Sequence, residues 1–391
     1  MRFVYWASMG LVAVFFLAGC GNFWQAPSSS SSGCTSNCTT LSSGFFYVLD
    51  QATNQIISYQ ISSGSLTAVG SPLTVPASPL AMTVAPNNDF LYVSTLSGIF
   101  AYSISSGALT LENSSQAIVS DPAAAMVIDS TDSWLIESSG STGFLYAVPI
   151  DSTTGLQNTS AANCTKTSPI CQVTLTGASI NQIAISPNND YVFVAAGTNG
   201  TQAFTFTAGN ADPFGAAATS GFNPVNATSG AALSVAVDPS NRLLYVGEAA
   251  VFTSGGGLRV FTIASGGALK EISGSPYSSG GSGPHAILPK STADYVYVAN
   301  WQGTSSGTIN GFAINDTNGT FSLTSTSSTA TTVVEPRGLV EDSEDNFVIA
   351  VGAASSPYLD AYTFDTTTAS KLDFALSSSS YAGFAVAANQ P

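Results

Sequence analysis

Charge is scarce in this chain: of 391 residues only 8% are Asp, Glu, Lys or Arg, and there is a single histidine. Basic residues are the scarcest, eight against 23 acidic ones, for a formal net charge of −15. That balance excludes a nucleic-acid binder, because nothing is available to neutralise a row of phosphates. It also excludes electrostatic adhesion to anionic lipid. Helical periodicity is absent beyond the N-terminus. No G-x-S-x-G segment exists, so there is no nucleophile elbow. Gly255-Gly256-Gly257 opens no helix and reads as a blade loop, not a phosphate cradle. The many Asn/Asp turns do not match an EF-hand loop. Cys164 and Cys171 have no histidine or third thiol near them, so neither a metal nor another cofactor is expected.

What is present is a repeat. The turn-plus-strand unit APNNDFLYV (Ala85–Val93) returns as DSTDSWLIE, SPNNDYVFV, DPSNRLLYV, KSTADYVYV and DSEDNFVIA, and FFYVL (Phe45–Leu49) is a copy without its preceding strand. Each copy leads to a further apolar strand, such as IFAYSI or LRVFTI, and most then reach a Gly- or Asp-containing turn. Alternating apolar residues between such turns read as half-buried antiparallel strands. Equivalent positions are Tyr47, Tyr92, Ile136, Phe193, Tyr245, Tyr297 and Ile349, spaced 44 to 57 residues apart. Seven units of this period with about four strands each predict an all-β, seven-bladed propeller over residues 44–391. The orphan strand GFAVAAN (Gly383–Asn389) is expected to supply the missing inner strand of blade 1 and so latch the ring.

Residues 1–20 read as an export signal: Arg2, an apolar run from Val4 to Ala18 too short to span a bilayer comfortably, then Leu17-Ala18-Gly19-Cys20. This ending resembles the bacterial lipoprotein signal, which implies acylation of Cys20 and a membrane partner through that lipid. Gly21 follows instead of Asp, so by the same resemblance the outer membrane is the expected anchor, facing periplasm or surface. Residues 21–43 are Ser-, Thr- and Gly-rich and read as a tether. Four cysteines remain, an even number for an oxidising compartment, and the local pairs Cys34–Cys38 and Cys164–Cys171 are expected among three connectivities.

Aligning the repeats on Leu80 puts one residue per blade at the start of each inner strand: Leu80, Ala124, Asn181, Leu233, His285, Arg337 and Ala382. Second strands return to the same face and add Asp50, Glu137, Glu248, Asn300 and Trp301 as candidate ligand contacts. His285, Arg337 and Glu248 are the candidate catalytic set: an imidazole that can act as acid or base near neutrality and a guanidinium that can stabilise an oxyanion. Trp301 and Tyr277 could stack on a sugar ring.

GSGPHAI, DYVYVAN (Asp294–Asn300) and EPRGL (Glu335–Leu339) resemble repeat motifs of the seven-bladed lactonase family, which includes 6-phosphogluconolactonases and the fungal carboxymuconate cyclase. The resemblance covers roughly residues 44–389 and implies that His285 and Arg337 match channel residues of that family. This chain departs from the pattern where Pro284 directly precedes His285, where Trp301 follows the YVxN run, and in having only seven Lys and Arg beyond residue 20. The primary expectation is therefore a monomeric envelope propeller that binds a protein, peptide or glycan at the channel face. The alternative is a hydrolase of a small lactone using His285, Glu248 and Arg337.

Overall fold

The computed structural model describes residues 41–390 except 140–142, 161–170, 176–179, 215–219, 223–229, 253–254 and 304. Cys20, Cys34, Cys38 and Cys164, with both expected disulfide pairings, lie outside the described residues; Cys171 is buried in the apolar cluster shared by blades 3 and 4. Among the described residues no helix is long and apolar enough to cross a membrane. Seven antiparallel sheets of four strands, two of them carrying a short fifth strand, form the blades of a propeller. The inner strands are Gly383–Ala388 for blade 1, then Pro79–Val84, Ala123–Ile128, Gln182–Ile185, Ala231–Val237, Gly283–Pro289 and Pro336–Glu341 for blades 2 to 7.

The recurring turn has a single geometry. In blade 2 the Ala85 amide donates to the Phe90 carbonyl and the Asn88 amide to the Ala85 carbonyl; the same two bonds recur from Asp129, Ser186, Asp238, Lys290 and Asp342. The fourth residue of each turn has positive φ: Asn88, Asp132, Asn189, Asn241, Ala293 and Asp345. Asn and Asp tolerate that left-handed region better than other side chains, which explains their recurrence. The first residue often caps the turn as well. Asp342 Oδ1 accepts from the Asn346 and Phe347 amides at 3.0 and 2.5 Å, and Ser186 Oγ accepts from Asp190 and Tyr191 at 3.0 and 2.9 Å.

The strand that follows each turn is apolar on both faces because neighbouring blades cover both. Every residue of Phe46–Asp50, Phe90–Thr95, Tyr191–Ala195 and Phe347–Gly352 is buried. Tyr47, Tyr92, Phe193, Tyr245 and Tyr297 occupy one equivalent position and each is at most 1% exposed. The C-terminal strand closes the ring: Gly383–Ala388 pairs antiparallel with Phe46–Asp50, Tyr47 facing Ala387, and the Asn389 amide donates to the Phe45 carbonyl.

Inner strands begin with a register shift against their second strands. Pro79 faces Thr95 and Ala81 faces Ser94, leaving Leu80 as the extra residue. The same shift leaves out Leu233, His285 and Arg337. In blade 1, Leu49 faces Ala385 and Asp50 faces Gly383, so the extra residue is Phe384. The sequence alignment put Ala382 there; pairing with Phe46–Asp50 displaces the strand by two residues and overturns that assignment.

Removing residues 383–391 should expose an inner edge along Phe46–Asp50, which an unpaired strand presents for aggregation. The expected outcome is loss of a single cooperative thermal transition together with oligomers in size-exclusion chromatography; a monomer with an unchanged melting curve would contradict ring closure.

Candidate functional site

The register shifts act as β-bulges, which re-aim one side chain out of the strand. His285 and Arg337 hold equivalent bulge positions on the adjacent inner strands of blades 6 and 7. Together with Trp301, Glu335 and Pro336 they line a cavity of about 50 Å³. The His285 and Trp301 rings meet edge to face with centroids 5.7 Å apart. Gly283 allows the backbone to pass close by: a Cβ there would lie 3.3 Å from His285 Cδ2 and 3.6 Å from Trp301 Cβ. Trp301, 37% exposed, is held by its indole N–H donating to the Gly303 carbonyl at 2.6 Å.

Arg337 Nη2 lies 3.5 Å from Glu335 Oε2, and its guanidinium sits over the Phe384 ring with Cζ 5.4 Å from the centroid. Its side chain is 45% exposed, so the pair with Glu335 is readily exchanged for another partner. Burial, then the Arg337 charge, lower the pKa of His285, and Glu335 opposes the shift. Both effects favour the neutral imidazole, whose lone pair can serve as a base. Glu335 has φ +53°, a left-handed conformation uncommon for Glu, at the single residue joining the long strand Thr320–Val334 to Pro336–Glu341. In the sequence Glu335 figures only as the first residue of the EPRGL motif; its place directly before Pro336-Arg337 is the available signal.

The remaining candidates do not join this cavity. Glu248 is 2% exposed, and Arg259, equally buried, binds it through Nε at 3.0 Å and Nη2 at 3.0 Å while reaching Glu271 through Nη1 at 2.7 Å. The expected meeting of Glu248 with His285 and Arg337 fails because its carboxylate shares a sheet face with Arg259, a diagonal neighbour on the next strand. Asn300 is buried and donates to the Ser279 carbonyl at 2.6 Å. Asp50 is buried and caps its own turn, accepting from the Ala52 amide at 2.8 Å. Glu137 is buried inside blade 3, opposite Met126 and Tyr146. Asn181 does stand at an inner-strand start, exposed, but donates to the Ala232 carbonyl of blade 5 at 2.7 Å. Tyr277 packs against Phe312 and donates to the Ser273 carbonyl, away from the cavity lining.

Near the other ends of the inner strands of blades 1, 6 and 7, a cavity of about 300 Å³ is lined by residues including Leu288, Ser291, Glu341, Ala388 and Gln390. Burial and the neighbouring Asp345 push Glu341 up to about 7. Its oxygens accept from the Ser291 amide and hydroxyl and face Lys290 Nζ at 3.3 Å, so they already serve the structure. Among the described residues no cluster of His, Cys, Asp and Glu could hold a metal ion.

A family model described as "Lactonase, 7-bladed beta-propeller" matches residues 39–373. The chain belongs to the seven-bladed β-propeller lactonase family. No curated protein matches this lactonase-family chain. Its fold is similar to that of a candidate 6-phosphogluconolactonase from Bacteroides uniformis, at 15% identity over 88% of this chain and 98% of that one, with a TM-score of 0.67. It is also similar to the periplasmic gluconolactonase PpgL of Pseudomonas aeruginosa, at 16% identity over 88% and 98% of the two chains and a TM-score of 0.65. The hydrazine synthase of Kuenenia stuttgartiensis matches over 83% of this chain and 95% of that one at 9% identity and a TM-score of 0.57, so the fold spans unrelated chemistries.

Because Glu248 neutralises a buried arginine, Glu248→Ala should destabilise this lactonase-family propeller by about 3–5 kcal/mol. Denaturant unfolding of the purified variant measures this; a change within experimental error would show that Arg259 finds solvent or Glu271 sufficient.

Proposed function

We propose that this protein is a lactone hydrolase whose reaction centre is the cavity of His285, Arg337, Glu335 and Trp301. The observation that carries the reading is the convergence of a neutral imidazole and an exposed guanidinium at one propeller mouth, in a chain of the lactonase family. Family membership weighs for hydrolysis over the binding role first expected from the sparse charge.

In the proposed reaction His285 takes a proton from water as the water oxygen attacks the lactone carbonyl carbon. Arg337 donates to the carbonyl oxygen as negative charge develops on it. The ring C–O bond then breaks, the departing alkoxide recovers the proton from the imidazolium, and a hydroxy acid leaves. Glu335 holds Arg337 in place before substrate arrives and moderates its effect on His285. Trp301 walls the imidazole and supplies a flat face for the substrate ring.

Hydrolysis of glucono-δ-lactone, followed by acid release across pH, tests the reading. Arg337→Ala should lower kcat by about 10²- to 10³-fold, the usual loss for one oxyanion donor, and affect KM less. The acidic limb of kcat/KM should inflect below the ordinary histidine value, because the base must be deprotonated and its pKa is lowered. Removing the Arg337 charge should move that inflection up; Glu335→Gln should move it further down. Unchanged turnover in His285→Ala would overturn the mechanism.

We also propose that residues 1–20 direct export and that lipid on Cys20 anchors the propeller through the following tether, with Cys164 and Cys171 joined in the same oxidising compartment. The sequence pattern supports this, and the Pseudomonas relative is named periplasmic. Wild-type protein should enter the detergent phase on phase separation and Cys20→Ala should not; wild-type protein wholly in the aqueous phase would refute the anchor.

A further inference from the structure

The inner strands bring seven side chains to one mouth, and their order around the ring follows the blades: Phe384, Leu80, Ala124, Asn181, Leu233, His285 and Arg337. His285 and Arg337 form one polar sector. Phe384 and Leu80 adjoin it on the Arg337 side, and Leu233 on the His285 side. None of these three apolar side chains is fully buried, although each starts a strand with a core behind it. Phe384 is already in contact with the sector, lying beneath the Arg337 guanidinium.

The loops above this mouth repeat the pattern. Among the described residues only two large apolar side chains are exposed, Leu96 at 63% and Trp301 at 37%. They occupy equivalent positions: Thr95 faces Pro79 and precedes Leu96, while Asn300 faces Pro284 and precedes Trp301. Leu96 thus stands over the blade of Leu80, as Trp301 stands over that of His285. At this end of blades 1 and 2, Phe384, Leu80 and Leu96 are thus three incompletely buried apolar side chains available to a ligand.

The cavity at the polar sector holds about 50 Å³. It is a small recess lined by five residues. A substrate that extends from it on the Arg337 side reaches Phe384 first, which already lies against the guanidinium, and then the neighbouring blade of Leu80 and Leu96. Cations are equally telling. Arg337 is the one basic side chain in the cavity lining, and Glu335 accompanies it. Arg259 is buried with two carboxylates, Arg242 pairs with Asp238 and Asp316, Lys290 with Glu341 and Asp345, and Lys371 with Asp365 and Asp373. A phosphate on the substrate would find no second cation there among these pairs, and it would lie on a strongly acidic protein.

We propose that the substrate is an uncharged lactone carrying an apolar alkyl or acyl arm, with the lactone at His285 and Arg337 and the arm over Phe384, Leu80 and Leu96. This rests on the hydrolase reading for the reaction but on separate residues for the arm. Each methylene buried on the rim should improve binding up to about four-fold, the equivalent of about 0.8 kcal/mol. The gain should appear in KM more than in kcat, since the arm contacts ground state and transition state alike.

Two measurements on the full-length protein separate the claims: hydrolysis of γ-lactones from γ-butyrolactone to γ-decalactone beside glucono-δ-lactone and 6-phosphoglucono-δ-lactone, and calorimetric binding of 2-alkylcyclopentanones, which cannot be hydrolysed. Affinity and kcat/KM should rise with chain length, and the phosphorylated sugar should be the poorest substrate. Phe384→Ala should flatten the length dependence; Leu96→Ser, at an exposed loop that carries no core, should weaken it without a change in melting temperature. Length-dependent ketone binding without turnover of any lactone would remove the hydrolase reading and sustain the apolar arm. Turnover with affinity independent of chain length, or preference for the phosphorylated sugar, would overturn the apolar arm and leave the reaction standing.

Discussion

Neighbouring blades take both faces of each second strand out of water, and this two-sided burial exists only in a complete ring. Phe46–Asp50 shows it most plainly, since its five residues are buried although they open the propeller. One face packs with Val84, Leu91 and Val93 of blade 2 and the other with Phe347, Ile349 and Val351 of blade 7. A single four-stranded sheet would leave one or both of these faces wet. The strand Gly383–Ala388 must therefore return to blade 1, where it pairs with Phe46–Asp50.

Once the ring is closed, its mouth is built from equivalent positions that are only partly buried, Phe384 still packing against the core of blades 1 and 2. The bulge at these inner-strand starts leaves one residue out of the ladder, so Leu80, Leu233, His285, Arg337 and Phe384 of different chemistry share one position while the residues on either side stay paired. The proposed reaction centre occupies two neighbouring blades, where two such positions carry His285 and Arg337. Elsewhere charges are spent on structure: Arg259 with Glu248 and Glu271 inside blade 5, and Lys290 with Glu341 between blades 6 and 7.

The electrostatics of the mouth follow from that economy. Burial, reinforced by a single guanidinium, lowers the imidazole's pKa, and one carboxylate restrains the guanidinium without cancelling its access to solvent. Such a centre suits the proposed attack on a neutral carbonyl, which gains charge only in the transition state. Its apolar neighbours lower the local polarity and strengthen the interaction when that charge appears.

The sequence by itself determined the repeat, its strand order, the closing strand, and the equivalence of His285 and Arg337, because these depend on local alternation and on turns that need Asn, Asp or Ser at set positions. Family motifs around the same two residues pointed to the lactonase fold. It did not determine which other polar residues reach the mouth. Glu248 lies on the expected strand, opposite Ala232 and beside the Leu233 bulge, but Arg259, eleven residues later, holds its carboxylate within the sheet. Asn300 turns to a backbone carbonyl instead of the channel. Phe384 replaces Ala382 because pairing with a strand more than three hundred residues away sets the register. Glu335 enters the site because the outer strand of blade 6 delivers it there in a left-handed backbone conformation. Register, side-chain parity and partners distant in sequence are properties of the assembled ring, so only the tertiary structure could decide them.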